Sequence, residues 1–182
     1  MSEMMLIKHC APTLAGIKTA NIFNCRYESE EQLKRELRRL NCKLRRKGIR
    51  VVPLKKTPER VLIYAYRPSK LREDLNRAEA VAILSPLGYE HGCPARSITR
   101  LVARLRECEE FPHEIGLFLG YPPEDVRGFM EDTRKCKLIG YWKVYGDAQA
   151  AAKLFARYKK CTDVYLDRYS KGRSLERLTV PA

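Results

Sequence analysis

The chain has 182 residues, of which 45% are hydrophobic and 32% charged, and its 36 basic and 22 acidic residues give a formal net charge of +14. That length supports one domain over residues 1–182, with a core that needs no staples, and the composition excludes a disordered or fibrous chain. No apolar run approaches the ~18 residues of a membrane-spanning helix, and seven scattered cysteines without a C-x-x-C pair exclude a disulfide framework.

Met1-Ser2-Glu3-Met4-Met5-Leu6-Ile7-Lys8 lacks the basic and apolar regions of a signal peptide, so a cytoplasmic protein is expected. The positive charge favours a polyanionic partner or an anionic ligand. Along the chain, Met4 to Ile7 reads as one apolar turn. Thr13 reads as the cap of a short helix through Lys18, and Asn21-Ile22-Phe23 as a short strand or loop. Ser29-Glu30-Glu31-Gln32 is a capping-box pattern. The helix it opens carries Leu33, Leu37, Leu40 and Leu44 on one stripe and stops at Gly48.

Ile49 to Leu54 and Arg60 to Tyr66 predict an antiparallel hairpin, with Val61-Leu62-Ile63 apolar on both faces and therefore central. Pro68 opens a helix. Ile98, Leu101, Val102 and Leu105 mark another. Leu138 to Gly146 alternates like a strand. Asp147 caps a helix whose stripe continues through Tyr158, Thr162, Tyr165 and Tyr169 to Gly172, and Ser174 to Leu178 reads as a last short helix before an exposed tail. The expected class is α+β: a small, mostly antiparallel sheet (hairpin about 49–66 plus a strand about 138–145) covered by several helices.

The most distinctive stretch is His113-Glu114-Ile115-Gly116-Leu117-Phe118-Leu119-Gly120-Tyr121-Pro122-Pro123-Glu124-Asp125-Val126-Arg127-Gly128-Phe129. Three glycines in an apolar run point to close backbone approach or a sharp bend. Together with Gly140-Tyr141-Trp142-Lys143-Val144-Tyr145-Gly146-Asp147 and segments near both termini, it resembles an uncharacterised family, a domain of unknown function from anaerobic bacteria. The resemblance implies a single-domain cytosolic protein and brings no activity with it.

Four constellations are candidates for chemistry. Pro112 at a helix start places His113 and Glu114 in a first turn, where the dipole favours a neutral imidazole able to act as a base; a capping Glu beside a packed His is the plainer reading. Cys161, after Lys159-Lys160, and Cys10, beside His9, are candidate thiolates. With His113 they form a nucleophile-and-base set, and His9, His113 and Cys161 form a weak metal set without recognised zinc spacing; packing cysteines are the alternative. His91-Gly92-Cys93 is a weaker instance. Arg67 at a strand end, with Ser69 and Lys70 opening a helix, suits an anion. Lys18, Lys143, Lys160 and Thr162 extend that set, and Tyr66, Trp142 and Tyr145 offer flat surfaces.

The fourth candidate is the basic helix 34–47, able to follow a nucleic-acid backbone, against the plainer reading of a solvated face. Gly116, Gly120 and Gly128 lack dinucleotide-binding spacing. The leading expectation is a small enzyme or ligand-binding protein with a Cys/His/Lys site. A nucleic-acid-binding module and a structural or adaptor protein are the alternatives, and the sequence assigns neither a cofactor nor an oligomeric state.

Overall fold

The computed structural model describes residues 2–90, 92–108, 110–131 and 135–182. The chain divides into two compact units, unit 1 comprising Met1–Ser69 and Lys160–Ala182, and unit 2 comprising Lys70–Lys159. Helices and small antiparallel sheets make it an α+β protein, the class the sequence predicts.

Unit 1 opens with helix α1 (Glu3–Leu14), one helix where the sequence suggests two pieces. Ser2 caps it, accepting from the Met5 N–H at 3.3 Å. Pro12 deletes one donor in the last turn, but Leu6, Ile7, Cys10, Ala11 and Leu14 are all buried along the same stripe, and that burial outweighs the lost bond. Strand β1 (Ala20–Arg26) follows, longer than the three residues expected. Helix α2 (Glu30–Leu44) starts as its capping box predicts. The Ser29 hydroxyl accepts from the Gln32 N–H at 3.2 Å, and Gln32 Oε1 accepts from the Glu28 N–H at 3.1 Å. A 3-10 turn (Arg45–Lys47) ends at Gly48, whose φ of +73° only glycine adopts readily.

Strands β2 (Arg50–Lys56) and β3 (Arg60–Tyr66) form the predicted hairpin. The sheet order is β1-β3-β2, antiparallel throughout, so β3 is central. Pro53 lies on the edge strand, where its missing N–H is tolerated, and the register shifts between Pro53 and Lys55. Phe23, Cys25, Val51, Val61, Ile63 and Ala65 face a core that α1 and α2 complete with Leu6, Ile7, Leu33, Leu40 and Leu44. The chain ends with α9 (Leu175–Leu178), capped by Ser174.

Unit 2 holds most of α3 (Pro68–Leu75), then α4 (Ala78–Leu84), α5 (Pro94–Glu107), the single turn α6 (Ile115–Phe118) and α7 (Pro123–Glu131). The predicted 138–145 strand turns back on itself as β4 (Leu138–Ile139) and β5 (Lys143–Val144), a separate two-stranded sheet. Gly140 lies at the reversal: a Cβ there would lie 2.2 Å from the Phe155 ring, so the turn backbone packs directly on that ring. Helix α8 (Ala148–Ser170) belongs to both units and begins at Asp147, whose carboxylate accepts from the Gln149 and Ala150 N–H groups at 2.9 and 3.0 Å.

The glycines of the central stretch serve close approach and a bend, as expected. Gly120 has φ +76°; a Cβ on Gly116 would meet Val126 at 2.8 Å, and one on Gly128 would meet the root of the Tyr145 ring at 2.5 Å. Gly128→Ala should therefore cost about 1–3 kcal/mol through overpacking, despite the better helix propensity of alanine. Urea unfolding reads this directly, and a stability equal to the parent would contradict the packing described.

Candidate functional site

The Arg67 cradle expected for an external anion is filled by the protein's own backbone. With 2% of its surface exposed, Arg67 donates from Nε to Thr13 O at 2.7 Å and from Nη2 to Leu14 O at 2.8 Å and Val180 O at 2.7 Å. Two of these are last-turn carbonyls of α1, which need donors and attract positive charge. The partner is thus backbone, neither a ligand nor a carboxylate. Tyr66 stacks on Tyr64 at 4.8 Å, Ser69 is exposed and Lys70 partly exposed.

Beside this clamp lies a second buried polar group. Lys18, 4% exposed, donates to Asn21 Oδ1 at 2.8 Å and to Ala20 O. Asn21 also accepts from the Thr13 hydroxyl at 3.3 Å and donates to His9 O. Burial pushes the Lys18 ammonium down to about 7, opposed by Cys10. The Cys10 thiol is pushed up to about 12 by its own burial, so it is not an activated thiolate. His9 stacks flat on Phe23 at 5.0 Å, and burial followed by Lys8 lowers its pKa. Cys161 is half-buried and its thiol is likewise pushed up, to about 11; the neighbouring Lys159 and Lys160 are exposed and do not activate it. Thr162 is partly buried.

In unit 2, Glu114 is 1% exposed and accepts from Tyr89 Oη at 2.8 Å and from Arg104 Nε. It precedes α6, and its carboxylate is an internal acceptor held by α5 and the Tyr89 loop. Exposed His113 packs edge-on against Phe129 with ring centroids 4.7 Å apart. Trp142 donates from Nε1 to Asp125 Oδ2 at 2.7 Å and stacks on Tyr121. Asp125 Oδ1 accepts from the N–H groups of Tyr145 at 2.7 Å and Gly146 at 2.8 Å. Lys143 lies 5.1 Å from the Phe129 ring centroid. Sequence reasoning missed Asp125, which beside Glu124 in the first turn of α7 reads as an ordinary helix-start acid and carries no signal of its internal partners.

The weak metal set is not assembled: among the described residues no group of three or more His, Cys, Asp and Glu side chains is placed to hold a metal ion. His91 lies outside the described residues, and its neighbour Cys93 is an exposed free thiol.

Helix α2 has an exposed face that is a further surface open to a partner. Its apolar stripe of Leu33, Leu37, Leu40 and Leu44 faces the core. At ~100° per residue, Lys34, Arg35, Arg38 and Arg39 occupy an arc of roughly 140° opposite that stripe, Arg45 and Arg46 follow them in the 3-10 turn that ends the helix, and all six are exposed. From Lys34 onward this arc holds no carboxylate; Glu31 lies in the preceding turn. Lys43, off the arc, is paired with Glu3 at 2.8 Å and Glu176 at 3.6 Å.

A family described as a protein of unknown function (DUF3793) matches residues 6–179. The chain belongs to this family. No curated protein and no solved structure matches it. The match agrees with the expectation of an uncharacterised domain family. Among the described residues no helix is long and apolar enough to cross a membrane.

The Lys18 environment has a pH signature. The native amine loses its proton near pH 7, whereas the unfolded one keeps it to about 10.5. Between those values the unfolded chain binds the extra proton, so stability rises with pH, by at most about 1.4 kcal/mol per unit. Cys10 opposes this only above its ordinary value of 9.0, where the unfolded thiol ionises first. Urea midpoints should climb from pH 7 to pH 9 and stay level in Lys18→Met; a parent protein without that climb would contradict a buried amine.

Proposed function

We propose that unit 1 is a nucleic-acid-binding module whose helix α2 lies along the phosphate backbone. The observation that carries this reading is the one-signed cationic arc opposite the core stripe. A face built only for solubility mixes signs and gains from Glu–Lys pairs at i,i+4. Here Lys34/Arg38 and Arg35/Arg39 are like-charged i,i+4 pairs, each costing the helix roughly 0.2–0.5 kcal/mol.

The charge distribution supports the same reading. Unit 1 contains 21 basic against 9 acidic residues, and unit 2 contains 15 against 13, so +12 of the +14 belongs to unit 1. The cationic face from Lys34 to Arg46, about 18 Å long, matches roughly ten backbone charges of a duplex. It carries no aromatic or large apolar side chain, which disfavours both base stacking and insertion into a lipid surface. Contacts of this kind position a protein on nucleic acid without reading sequence. The reading fits a cytoplasmic protein whose thiols stay reduced.

The expected small-molecule site with an activated thiol or imidazole loses its support at the same time. Arg67, Glu114 and Trp142 have internal partners, and burial works against thiolate formation at both Cys10 and Cys161.

Fluorescence anisotropy with a single-stranded oligonucleotide tests the proposal. Six phosphate contacts predict a slope of about −4 for log K against log salt, and each arginine replaced by glutamine on the arc should reduce it by about 0.7. Thermal stability should hold or improve in those variants, since like-charge repulsion is relieved. An unchanged slope with four arginines replaced would refute the assignment. Binding to phosphatidylserine vesicles without binding to oligonucleotide would transfer the face to a membrane.

A further inference from the structure

The register of β1 on β3 places Arg26 directly opposite Arg60 at the end of the ladder. Both are exposed, and neither guanidinium is ion-paired among the described residues. Like charges facing each other across antiparallel strands destabilise the pair, their Cβ atoms being only about 4.5–5.5 Å apart. An edge strand has many ways to avoid that arrangement, and a single lysine-to-acid contrast across the pair would do so. The two arginines also border a hollow of about 490 Å³, lined besides by Ser2, Met5, Asn24 and Cys25.

We infer that this hollow is a binding site for a terminal phosphomonoester, gripped by Arg26 and Arg60. The stoichiometry of charge and donors selects the ligand. One carboxylate is saturated by a single guanidinium in a two-bond fork, leaving the second arginine unserved. A phosphomonoester carries about −1.5 to −2 charge and three terminal oxygens, enough for two guanidinium forks at once. Asn24, whose side-chain amide is a donor type, also lines the hollow. The capped start of the 12-residue α1 lies at the same hollow through Ser2, and its dipole adds to the field. Glu3, the acid of that first turn, is engaged by Lys43 at 2.8 Å. Arg26 borders a neighbouring hollow that contains Glu28 and Glu59, which leaves Arg60 the stronger of the two anchors.

None of the cations on the α2 arc lines this hollow, so the inference stands apart from the nucleic-acid reading. The ligand chemistry is shared by a free nucleotide, inorganic phosphate and the 5′-phosphate end of an oligonucleotide. Calorimetric titration of the full chain separates them, using inorganic phosphate, a nucleoside 5′-monophosphate with its nucleoside as control, and one oligonucleotide with and without a 5′-phosphate. The phosphorylated member of a pair should bind at least about tenfold tighter than its unphosphorylated counterpart. Arg60→Gln should remove that difference, as should Arg26→Gln. A difference confined to the oligonucleotide pair assigns the site to a chain end; one present already in the mononucleotide assigns it to a free nucleotide.

Folding does not confound the variants, because removing one of two facing like charges should leave the melting temperature unchanged or raised. Charge-neutral variants on the α2 arc should retain the phosphate-dependent difference even where overall oligonucleotide affinity falls. Equal affinities within both pairs and no heat with inorganic phosphate would overturn the inference. A preference that survives in Arg26→Gln/Arg60→Gln would overturn it as well.

Discussion

A guanidinium shut away from water must find its acceptors inside the protein, and Arg67 finds its closest ones in three carbonyl oxygens from two separate pieces of chain. Thr13 and Leu14 belong to the end of α1, and Val180 to the segment after α9. Breaking that set would leave a buried charge and orphaned carbonyls together, which costs more than any one bond contributes. The C-terminal segment is held from the other side too, since the Val180 N–H donates to Leu14 O at 3.0 Å. Unit 1 is therefore closed by polar bonds at the end of α1, while its apolar core fills the space between the helices and the sheet.

Unit 2 uses buried acids in the same capacity. Asp125 gathers one indole and two backbone donors from the 142–146 segment, and Glu114 gathers a phenol and a guanidinium. These carboxylates lie at or just before helix starts, where the dipole favours negative charge. Glycines let the segments come close enough for the bonds to form. The result is a unit in which Asp125 and Glu114 are committed to internal donors.

Periodic features were legible in the sequence. The capping box at Ser29, the Asp147 cap, the 49–66 hairpin and the centrality of β3 all follow from local patterns that tertiary contacts reinforce. The Pro12 helix was misread because local propensity argued for a break while the buried stripe, visible only with the sheet in place, argued for continuity. The 138–145 run was misread because alternation says nothing about a reversal, which here falls at Gly140, packed on Phe155. At the candidate sites, residue type was a good guide to polarity in the core and a poor guide to its use. Arg67 and Glu114 were singled out as candidates for ligand binding and catalysis, and sequence could not reveal that their partners are internal. The basic helix shows the opposite case: its cations were evident, whereas their gathering on one arc depends on where the core lies.

Buried ions are bonded within each unit, and the exposed arginines of α2 and of the Arg26/Arg60 pair are the proposed phosphate contacts. Cys42 offers the most direct check on the α2 contacts. It is exposed in the middle of the arc, with Arg38 and Arg39 one turn before it and Arg45 and Arg46 one turn after. Cys93, exposed in unit 2, is an internal control. The measurement is the alkylation rate of each thiol by mass spectrometry, with and without saturating oligonucleotide. Strong protection of Cys42 with Cys93 unchanged is the predicted result, and equal reactivity of Cys42 in the free and saturated protein would contradict the account.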